Sequence, residues 1–378
     1  MPQISLSHCL GFIADKRMSM DIYADSLAKS VGDGFLLQSI RPASRLERFS
    51  DSRLLMRYLR YWRYPQQVKT HVADLHHVLD HGYAHLHPYL KHGNLNTKTC
   101  ITVHDLIPML TWKGHLRAAN GEALNTRKPW LNLKSLSYLA HYDRILSVSQ
   151  STKADLIRYL GVSAEKIDVI PPIISDIFKP SSPFKINELI NKYEFERGCK
   201  WIMISGGEFY KNHRTCLEVL VELNQQSHVD FRLVKTGLPS PEFDQMVDEL
   251  GLRSKVRSVY LEDALELVTL YSFIDCLLFP SLYEGFGMPV AEALACGTPV
   301  VTSDRGSLPE VGGELASICD AGDVEALSQA IISVVFDKSR KDAVQEQGPI
   351  WGRQFRSENI QPQLDQFYHS CLLPENQC

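Results

Sequence analysis

The chain has 378 residues, of which 44% are hydrophobic and 22% are charged, and its formal net charge at pH 7 is −4. This length allows two domains with separate cores, and the composition is typical of a globular protein rather than a disordered or fibrous one. No run of 18 apolar residues is present, so no part of the sequence predicts a transmembrane helix.

The charges are divided unevenly along the chain. Residues 1–180 contain 23 lysines and arginines against 15 aspartates and glutamates, whereas the remaining residues contain 17 against 29. A basic first half indicates contact with an anionic partner or surface. Nine scattered cysteines without a Cys-x-x-Cys pair favour reduced thiols, and the N-terminus shows no secretory pattern, so we expect a cytoplasmic protein.

Short apolar runs alternate with amphipathic stretches in the first half of the chain. We predict strands at residues 4–6, 72–79, 100–103, 145–149 and 167–172, and helices at 21–31 and 151–161. Strands that alternate with helices at this spacing predict a parallel sheet covered on both faces.

Seven arginines and many apolar or aromatic residues are interleaved between Arg41 and Tyr64. A helix here would place Arg53, Arg57 and Arg60 on one face and Leu55, Leu59 and Trp62 on another. Such a basic amphipathic helix is typical of proteins that lie on anionic membranes. The alternatives are a helix packed on the core with a solvated basic face, or a nucleic-acid patch, which the acidic second half and the lack of a nucleic-acid module disfavour.

Eight of the fourteen histidines lie between residues 71 and 104. Metal-binding histidines usually need a cysteine or carboxylate partner in a defined geometry, and we predict no metal site here. The positions are more informative, because two predicted strands end at Asp80-His81 and at His104-Asp105. Ligands bind at the carboxyl ends of parallel strands in doubly wound sheets, so these residues are candidates for a binding site.

The polar segment Pro180-Ser-Ser-Pro183 predicts a linker, and alternation resumes after it. We predict strands at 201–205, 231–234, 256–261 and 276–279, and helices at 214–224, 241–250, 265–273, 324–336 and 351–373. The second half therefore predicts another parallel sheet covered by helices.

The segment from Leu277 to Asp304 reads as strand, glycine loop, helix and strand. Gly285 and Gly287 precede a helix that begins near Pro289, and a helix N-terminus with glycines suits a phosphate. Glu284 and Glu292 flank this loop. Carboxylates repel phosphate but accept hydrogen bonds from sugar hydroxyls, so the pattern indicates a nucleotide sugar, unless both are ordinary solvated carboxylates.

The motif Glu284-x7-Glu292, with Gly-Phe-Gly-Met-Pro inside it and Gly-Thr-Pro-Val-Val after it, resembles the signature of the retaining glycosyltransferases of family 4. The resemblance covers most of residues 70–336. It implies an α/β protein with two doubly wound Rossmann-like domains facing a cleft, the GT-B-type fold. We expect an acceptor-side domain at 1–179, a nucleotide-sugar-binding domain at 184–350 and a helix at 351–378 that crosses back to the first domain.

The resemblance also implies roles for individual residues. The implied donor-binding residues are Gly207, Lys211, Arg214, Glu284, Gly285, Phe286, Gly287 and Glu292. The implied catalytic residues are Lys211, which compensates charge on the leaving diphosphate, Glu284, which binds sugar hydroxyls, and His104, which faces the transferred sugar. Asp80, His81 and Asp105 are expected on the acceptor side. Tyr210 departs from the family, which has a basic residue before Lys211.

The motifs are most similar to those of bacterial mannosyltransferases of polysaccharide assembly. The resemblance implies transfer of a hexose, with GDP-mannose favoured as donor, to a glycan or lipid-linked acceptor hydroxyl with retention of configuration. It implies no cofactor and no metal. Expected partners are the donor, the acceptor and an anionic inner membrane surface met through Arg41–Tyr64, and no nucleic acid. The alternatives are a sugar-nucleotide epimerase of the same architecture and a non-catalytic sugar-nucleotide-binding subunit.

Overall fold

The computed structural model describes residues 3–13, 18–42, 52–92, 94, 96–117, 128–238 and 240–373. The chain divides into two compact units. Unit 1 comprises Met1–Met109, Arg127–Ile173 and Ser357–Cys378, and unit 2 comprises Leu110–Thr126 and Ile174–Arg356. Within the described ranges, none of the helices combines the length and the apolar character needed to cross a bilayer.

Unit 1 is built on a six-stranded parallel sheet. Its strands are β1 (Ile4–Cys9), β2 (Phe35–Ile40), β3 (Leu75–Val78), β4 (Lys98–Val103), β5 (Arg144–Ser147) and β6 (Ile167–Val169). Their spatial order is β2-β1-β3-β4-β5-β6, and every neighbouring pair is parallel. The order reverses between β1 and β3, and ligands bind at such reversals in doubly wound sheets.

Short helices connect these strands. In chain order they are α1 (Met18–Lys29), α2 (Arg53–Tyr58), α3 (Tyr64–Val68), α4 (His87–Leu90), α5 (Ile107–Trp112), α6 (Trp130–Leu136) and α7 (Gln150–Leu160). Helix α7 shows how local sequence sets the boundaries. The Ser149 hydroxyl accepts from the Thr152 N–H at the start, and Gly161 takes a left-handed conformation with φ 65° at the end.

Unit 2 is built on a second six-stranded parallel sheet. Its strands are β7 (Lys200–Ile204), β8 (Phe231–Thr236), β9 (Val256–Val259), β10 (Cys276–Phe279), β11 (Val300–Ser303) and β12 (Ser317–Cys319). The spatial order is β12-β11-β10-β7-β8-β9, again all parallel. Here the order reverses between β7 and β10. The two sheets confirm the predicted α/β class with two doubly wound domains.

The helices of unit 2 are α8 (Pro183–Lys192), α9 (His213–Gln226), α10 (Pro241–Glu249), α11 (Ala264–Phe273), α12 (Met288–Ala295), α13 (Leu308–Gly312), α14 (Val324–Phe336) and α15 (Lys338–Gly352). The core lies between the sheet and helices α9, α10 and α14, where Leu217, Leu220 and Ile331 are fully buried with Ile202 and Leu233. These apolar runs are nearly continuous because both faces of the sheet are covered.

The last helix, α16 (Ser357–Leu372), belongs to unit 1. Its residues Ile360, Leu364 and Phe367 are buried in the same cluster as Leu6 and Leu75 of the sheet. Pro362 lies within the helix, at its sixth residue.

The arginine-rich segment differs from the prediction. Residues 43–51 lie outside the described residues, and α2 continues into a π-helical turn at Leu59–Arg63, where the Tyr64 N–H bonds to the Leu59 carbonyl. The additional residue in this turn changes which side chains share a face. Leu59 is fully buried, but Trp62 is 68% exposed, so the predicted apolar face is wrong for Trp62.

The sequence did not predict β2, β12, α8 or α15. Strands β2 and β12 each lie at one edge of their sheet, and their partly exposed residues lack a clear apolar alternation. Pro183, predicted as the end of a linker, is the first residue of α8, and the Ser182 hydroxyl caps that helix. Helix α15 contains Pro349, which usually indicates a helix boundary.

Candidate functional site

The candidate site of unit 2 lies where its sheet order reverses. Strand β7 leads into Gly206, Gly207 and a 3₁₀ turn at Phe209–Lys211, and β10 leads into the loop that contains Glu284. Strands β7 and β10 are parallel neighbours, so the loops at their carboxyl ends lie side by side. This is the position at which open α/β sheets bind ligands.

Lys211 and Glu284 form an ion pair at this position. The Nζ atom of Lys211 lies 2.8 Å from Oε1 of Glu284, and the two side chains are only 11% and 10% exposed. The ammonium group also lies 4.6 Å from the centre of the Phe279 ring, within the range of a cation–π interaction. Because little water screens a largely buried pair, the attraction between these two charges is stronger than it would be at the surface.

Gly206 makes room for the Lys211 side chain. Its φ is 86°, and a Cβ atom there would lie 2.9 Å from Cε of Lys211. A larger residue would therefore displace the lysine stem, and the backbone conformation also favours glycine.

The backbone of Glu284 is fixed by the loop after β11. The N–H and the hydroxyl of Ser307 both donate to the Glu284 carbonyl, at 3.2 and 3.1 Å. A Cβ atom on Gly306 would lie 2.5 Å from the same carbonyl oxygen, and Gly306 has φ 57°. Gly306 and Ser307 therefore position Glu284, a role that the sequence did not predict for either residue.

Asn212 joins three loops of the site. It adopts a left-handed conformation with φ 60° before α9, and its side-chain amide donates to the carbonyls of Pro280 and Ala321 at 3.0 and 2.8 Å. Its Oδ1 atom accepts from the Thr215 hydroxyl. Asparagine tolerates this conformation better than most residues. The asparagine directly after Lys211 was therefore the feature of the sequence that could have pointed to this role.

The glycine loop ends at the N-terminus of α12. Gly287 has φ 92°, and a Cβ atom there would lie 2.8 Å from the Leu308 side chain. Gly285 and Phe286 are buried, and the Phe286 ring packs edge-on against Phe355 at 5.4 Å. Pro289 has no N–H and the Val290 N–H bonds to the Gly287 carbonyl at 3.0 Å, so the partial positive charge of the helix N-terminus is what favours an anion here.

Glu292 lies one turn into α12 and is partly buried. Burial raises the pKa of its carboxyl group from 4.5 to about 7, although a hydrogen bond from the Tyr271 hydroxyl at 3.1 Å opposes the shift. A carboxyl group with this pKa titrates near neutral pH, so its capacity to accept hydrogen bonds depends on pH. No sequence signal pointed to Tyr271 as its partner.

Two further predicted donor residues, Arg214 and Gly207, have partners of their own. Arg214 is half exposed and pairs with Glu218 and Glu249, each at 2.9 Å, so its guanidinium group is held on the surface of α9 and α10. The exposed Gly207 N–H bonds to the Glu208 carboxylate at 3.1 Å. The structure thus brings Lys211 and Glu284 into direct contact but gives Arg214 other partners.

In unit 1 the predicted histidines and aspartates follow β3 and β4. The Asp80 carboxylate accepts from the Gly82 N–H at 2.7 Å and lies 3.8 Å from Nδ1 of His81. The His104 ring bonds through Nε2 to the Leu79 carbonyl at 2.9 Å. The Asp105 carboxylate accepts a hydrogen bond from the Ile107 N–H at the start of α5. His81 and His104 are neighbours, with ring centres 6.4 Å apart.

His104 is held as a neutral ring. Burial lowers its pKa below the usual value, although the nearby Asp80 carboxylate opposes the shift. Because the Leu79 carbonyl can only accept, Nε2 carries the proton in this hydrogen bond. The edge of the Tyr23 ring packs against His104 with 4.7 Å between centres.

A buried chain of hydrogen bonds lies behind His104. The Tyr368 hydroxyl of α16 lies 2.9 Å from both Nε2 of His8 and Nδ1 of His77. His77 also bonds to the Thr102 hydroxyl, which bonds to Tyr23. Burial lowers the pKa of His8 to about 3, so the ring is neutral. Among the described residues, no group of three or more histidine, cysteine, aspartate or glutamate side chains is arranged to hold a metal ion.

Comparison with family models gives two matches that together span most of the chain. Residues 14–176 match a model described as Glycosyltransferase Family 4, and residues 186–351 match one described as Glycosyl transferases group 1. The second match contains Lys211, Glu284 and Glu292.

Among curated proteins, the O-antigen chain mannosyltransferase B of Escherichia coli is 31% identical over 228 residues, which is 59% of this chain and 60% of that protein. The MMP alpha-(1->4)-mannosyltransferase of Mycolicibacterium hassiacum is 30% identical over 202 residues, which is 52% of this chain and 46% of that protein. This chain thus matches about half of the length of these relatives.

Solved structures share the fold along the whole chain. A glycosyltransferase from Rickettsia africae has a TM-score of 0.74 at 17% identity and covers 100% of both chains. The Anabaena protein HepE, solved with UDP-glucose, has a TM-score of 0.71 at 15% identity and covers 97% of this chain and 100% of its own. At these identities the likeness concerns the fold alone.

Proposed function

Since this chain belongs to the glycosyltransferases, with a family 4 segment followed by a group 1 segment, we propose that it transfers a hexose from a nucleoside diphosphate sugar to an acceptor hydroxyl. The sheet of unit 2 supplies the site for the donor. The proposal is supported by a cation, a carboxylate and a helix N-terminus that follow the two strands at which the sheet order reverses.

The observation that carries the proposal is the Lys211–Glu284 pair. Breaking the bond between the sugar and the diphosphate leaves additional negative charge on the leaving group, and a fixed cation compensates this charge. Lys211 is tied to Glu284 and is largely buried, so it is already oriented before the reaction. Lys211 supplies the compensating charge in this proposal, which therefore needs no metal ion or cofactor.

We propose the remaining roles from the resemblance to family 4, and the chemistry of each group agrees with them. Glu292 accepts hydrogen bonds from the ribose hydroxyls, and Glu284 accepts them from the sugar. The N–H groups of Gly285, Phe286 and Gly287, next to the N-terminus of α12, bind the diphosphate and the sugar. His104 orients the transferred sugar through its neutral ring and does not attack it. Gly207 is a candidate for the diphosphate, and Arg214 could serve it only by leaving Glu218 and Glu249. Asp80, His81 and Asp105 are proposed for the acceptor side.

We favour GDP-mannose as donor because the relatives from Escherichia coli and Mycolicibacterium hassiacum are named as mannosyltransferases. HepE was solved with UDP-glucose, so a UDP-sugar is the second donor to test. We also propose that the transferred sugar retains its anomeric configuration. Attack then comes from the face that the diphosphate leaves, and the departing phosphate assists it.

We propose a glycan or a lipid-linked glycan as acceptor, in the cytoplasm. The free cysteines among the described residues agree with a reducing compartment, and six of them are buried. A lipid-linked acceptor requires contact with a membrane, for which the described part of Arg41–Tyr64 offers Arg57, Tyr58 and Trp62 at a partly exposed surface. Sedimentation with anionic and neutral liposomes at low salt tests this contact, and a lack of sedimentation with either would favour a soluble acceptor.

The proposed function is tested with purified protein and a panel of labelled nucleotide sugars, with and without mannose-terminated oligosaccharides, and in the presence of EDTA. Transfer to the oligosaccharide with release of the nucleoside diphosphate is the expected result. Interconversion of the sugar nucleotide without an acceptor would identify an epimerase. Binding without turnover would identify a non-catalytic subunit, an outcome to consider because Tyr210 stands where the family has a basic residue.

A further inference from the structure

Unit 1 contains two adjoining cavities, whose lining includes Arg57, Tyr58 and Trp62, the residues named above for membrane contact. One has a volume of about 570 Å³ and the other about 580 Å³, each within the size range of ligand sites. They share Arg57, Tyr61, Trp130 and Leu131, so they lie side by side, and we call the two together the aromatic groove. One end is lined by Gly82 and Pro108, which follow β3 and β4 close to His81 and His104.

Six aromatic side chains that are at least partly exposed line the groove. Trp130 is 69% exposed and Tyr58 is 50% exposed, and Tyr61, Trp62, Tyr89 and Tyr138 also line it. Large apolar side chains that cluster at a concave surface mark binding sites, because their exposure to water is unfavourable. The flat C–H faces of sugar rings pack against aromatic rings, so this lining suits a carbohydrate chain.

The π-helical turn contributes to this lining. It turns Trp62 away from the core, and the ring of Tyr61 packs on His85 with 4.5 Å between centres. The backbone N–H and the Nδ1 atom of His85 each lie 3.3 Å from the Ser135 hydroxyl, and its Nε2 donates to the Arg60 carbonyl at 3.2 Å. The buried His85 thus fixes the turn that presents Tyr61, and π-helical turns are frequent at functional sites.

The charges of the groove have one sign. The described residues that line it include Arg57, Arg60, Lys128 and Lys134 and no aspartate or glutamate. The Lys128 ammonium group lies 3.9 Å from the centre of the Trp130 ring, and the Arg60 guanidinium group lies 4.8 Å from that of Tyr83. Cations interleaved with aromatic rings match a ligand that alternates sugar faces with negative groups.

We propose that the aromatic groove binds an acceptor oligosaccharide that carries negative charge, with sugar rings on Trp130 and Tyr61 and phosphate or carboxylate groups at Arg57 and Lys134. This inference rests on the proposed function, because it names the class of acceptor that the transfer uses. A concave surface fits a chain of sugars better than the face of a bilayer, which meets a convex or flat surface.

The test is isothermal titration calorimetry of the full chain without any donor. The probes are mannotetraose with a terminal 6-phosphate, the same tetrasaccharide after removal of the phosphate, and tetragalacturonate. We expect the phosphorylated tetrasaccharide to bind at least about tenfold more tightly than the neutral one. If tetragalacturonate binds as tightly as the phosphorylated tetrasaccharide, the groove accepts any negative group. If it binds more weakly, the groove prefers a phosphate. Either result agrees with the proposal.

Variants locate the binding. Trp130→Ala is expected to weaken binding of both tetrasaccharides by about tenfold, whereas Arg57→Gln combined with Lys134→Gln should weaken only the charged one. Val72→Ala and Lys29→Gln are matched controls, because both residues are exposed in unit 1 and neither lines the groove. Circular dichroism verifies that each variant is folded.

Several results would overturn the proposal. Equal affinity for charged and neutral tetrasaccharides would remove the role of the cations, and unchanged binding by Trp130→Ala would place the ligand elsewhere. Binding only to anionic vesicles would identify a membrane contact, and tighter binding of a single-stranded oligonucleotide would identify a nucleic-acid site. Binding of nucleotide sugars is measured separately, so failure of the proposed function and failure of this inference are distinguishable.

Discussion

The Nζ atom of Lys211 lies 2.8 Å from Oε1 of Glu284, although the two residues are 73 positions apart in the sequence. The parallel neighbours β7 and β10 end at the same edge of the sheet, and the loops that follow them bring the two side chains together. A cation and a carboxylate that orient each other can act on adjacent parts of one ligand, the diphosphate and the sugar. The predictions below test this pair, its supports and the buried network of unit 1.

Replacing Lys211 with alanine should slow transfer at saturating donor on the order of 100-fold or more. The loss in turnover should exceed the change in KM, because the charge on the leaving diphosphate grows toward the transition state. Steady-state kinetics with the active nucleotide sugar measure both parameters. Lys185→Ala, on the exposed face of α8, is the control. Normal turnover of Lys211→Ala would show that another cation has this role.

Lys211→Met and Glu284→Gln should each destabilise unit 2 by about 3 kcal/mol, because each leaves a largely buried charge without its partner. The double variant should lose less than the sum of the two single variants. Urea denaturation of all four proteins gives the coupling free energy. The exposed Arg253–Asp248 pair is the comparison, and its coupling should be too small to resolve. Strict additivity at Lys211 and Glu284 would contradict the pairing.

The pH dependence of stability should reveal Glu292. Burial raises its pKa from 4.5 to about 7, so the folded protein binds the proton more tightly than the unfolded chain. The stabilisation is complete below pH 4.5, declines as pH rises toward 7 and is lost above it, with a total change on the order of 3 kcal/mol.

Glu292→Gln should remove this dependence, so the measured quantity is the difference in unfolding free energy between wild type and variant at pH 4.5, 6 and 8. If Glu292 binds the ribose, the affinity of the wild type for the donor should also rise with pH through about 7, and that of the variant should not. A constant difference in stability from pH 4.5 to 8 would show that the carboxyl group is not buried as described.

Gly306→Ala should displace Glu284. A Cβ atom at this position meets the Glu284 carbonyl at 2.5 Å, and φ is 57°, so the expected destabilisation is on the order of 2–4 kcal/mol, with a loss of turnover. Gly198→Ala is a matched control, because Gly198 has φ 86° and open space around it. It should lose only about 1 kcal/mol and retain its activity. Equal effects of the two substitutions would show that the contact with Glu284 is unimportant.

Tyr368→Phe should destabilise unit 1 by about 1–3 kcal/mol, because its hydroxyl serves both His8 and His77 in a fully buried position. Thermal and urea unfolding measure the loss, and Tyr260→Phe, whose ring is 65% exposed, is the control. A variant as stable as the wild type would indicate that the two histidines reach other partners when the hydroxyl is removed.

The sequence by itself determined the class of the fold and the loops that carry the site. Nearly continuous apolar runs with amphipathic helices between them are local patterns, and they predict two parallel sheets before any contact is known. The residues of the Leu277–Asp304 segment likewise place a glycine loop before a helix. The edge strands β2 and β12 were not predicted in this way, because the polar residues within Phe35–Ile40 and Ser317–Cys319 interrupt that pattern.

Only the tertiary structure decided which side chains meet. Lys211 pairs with Glu284, and Arg214 pairs with Glu218 and Glu249, although the sequence does not show which of these three carboxylates each cation meets. The pKa of Glu292 depends on its burial in α12, and the exposure of Trp62 depends on a π-helical turn. Such contacts join residues far apart in the chain or depend on the surrounding packing, so local residue patterns do not contain them.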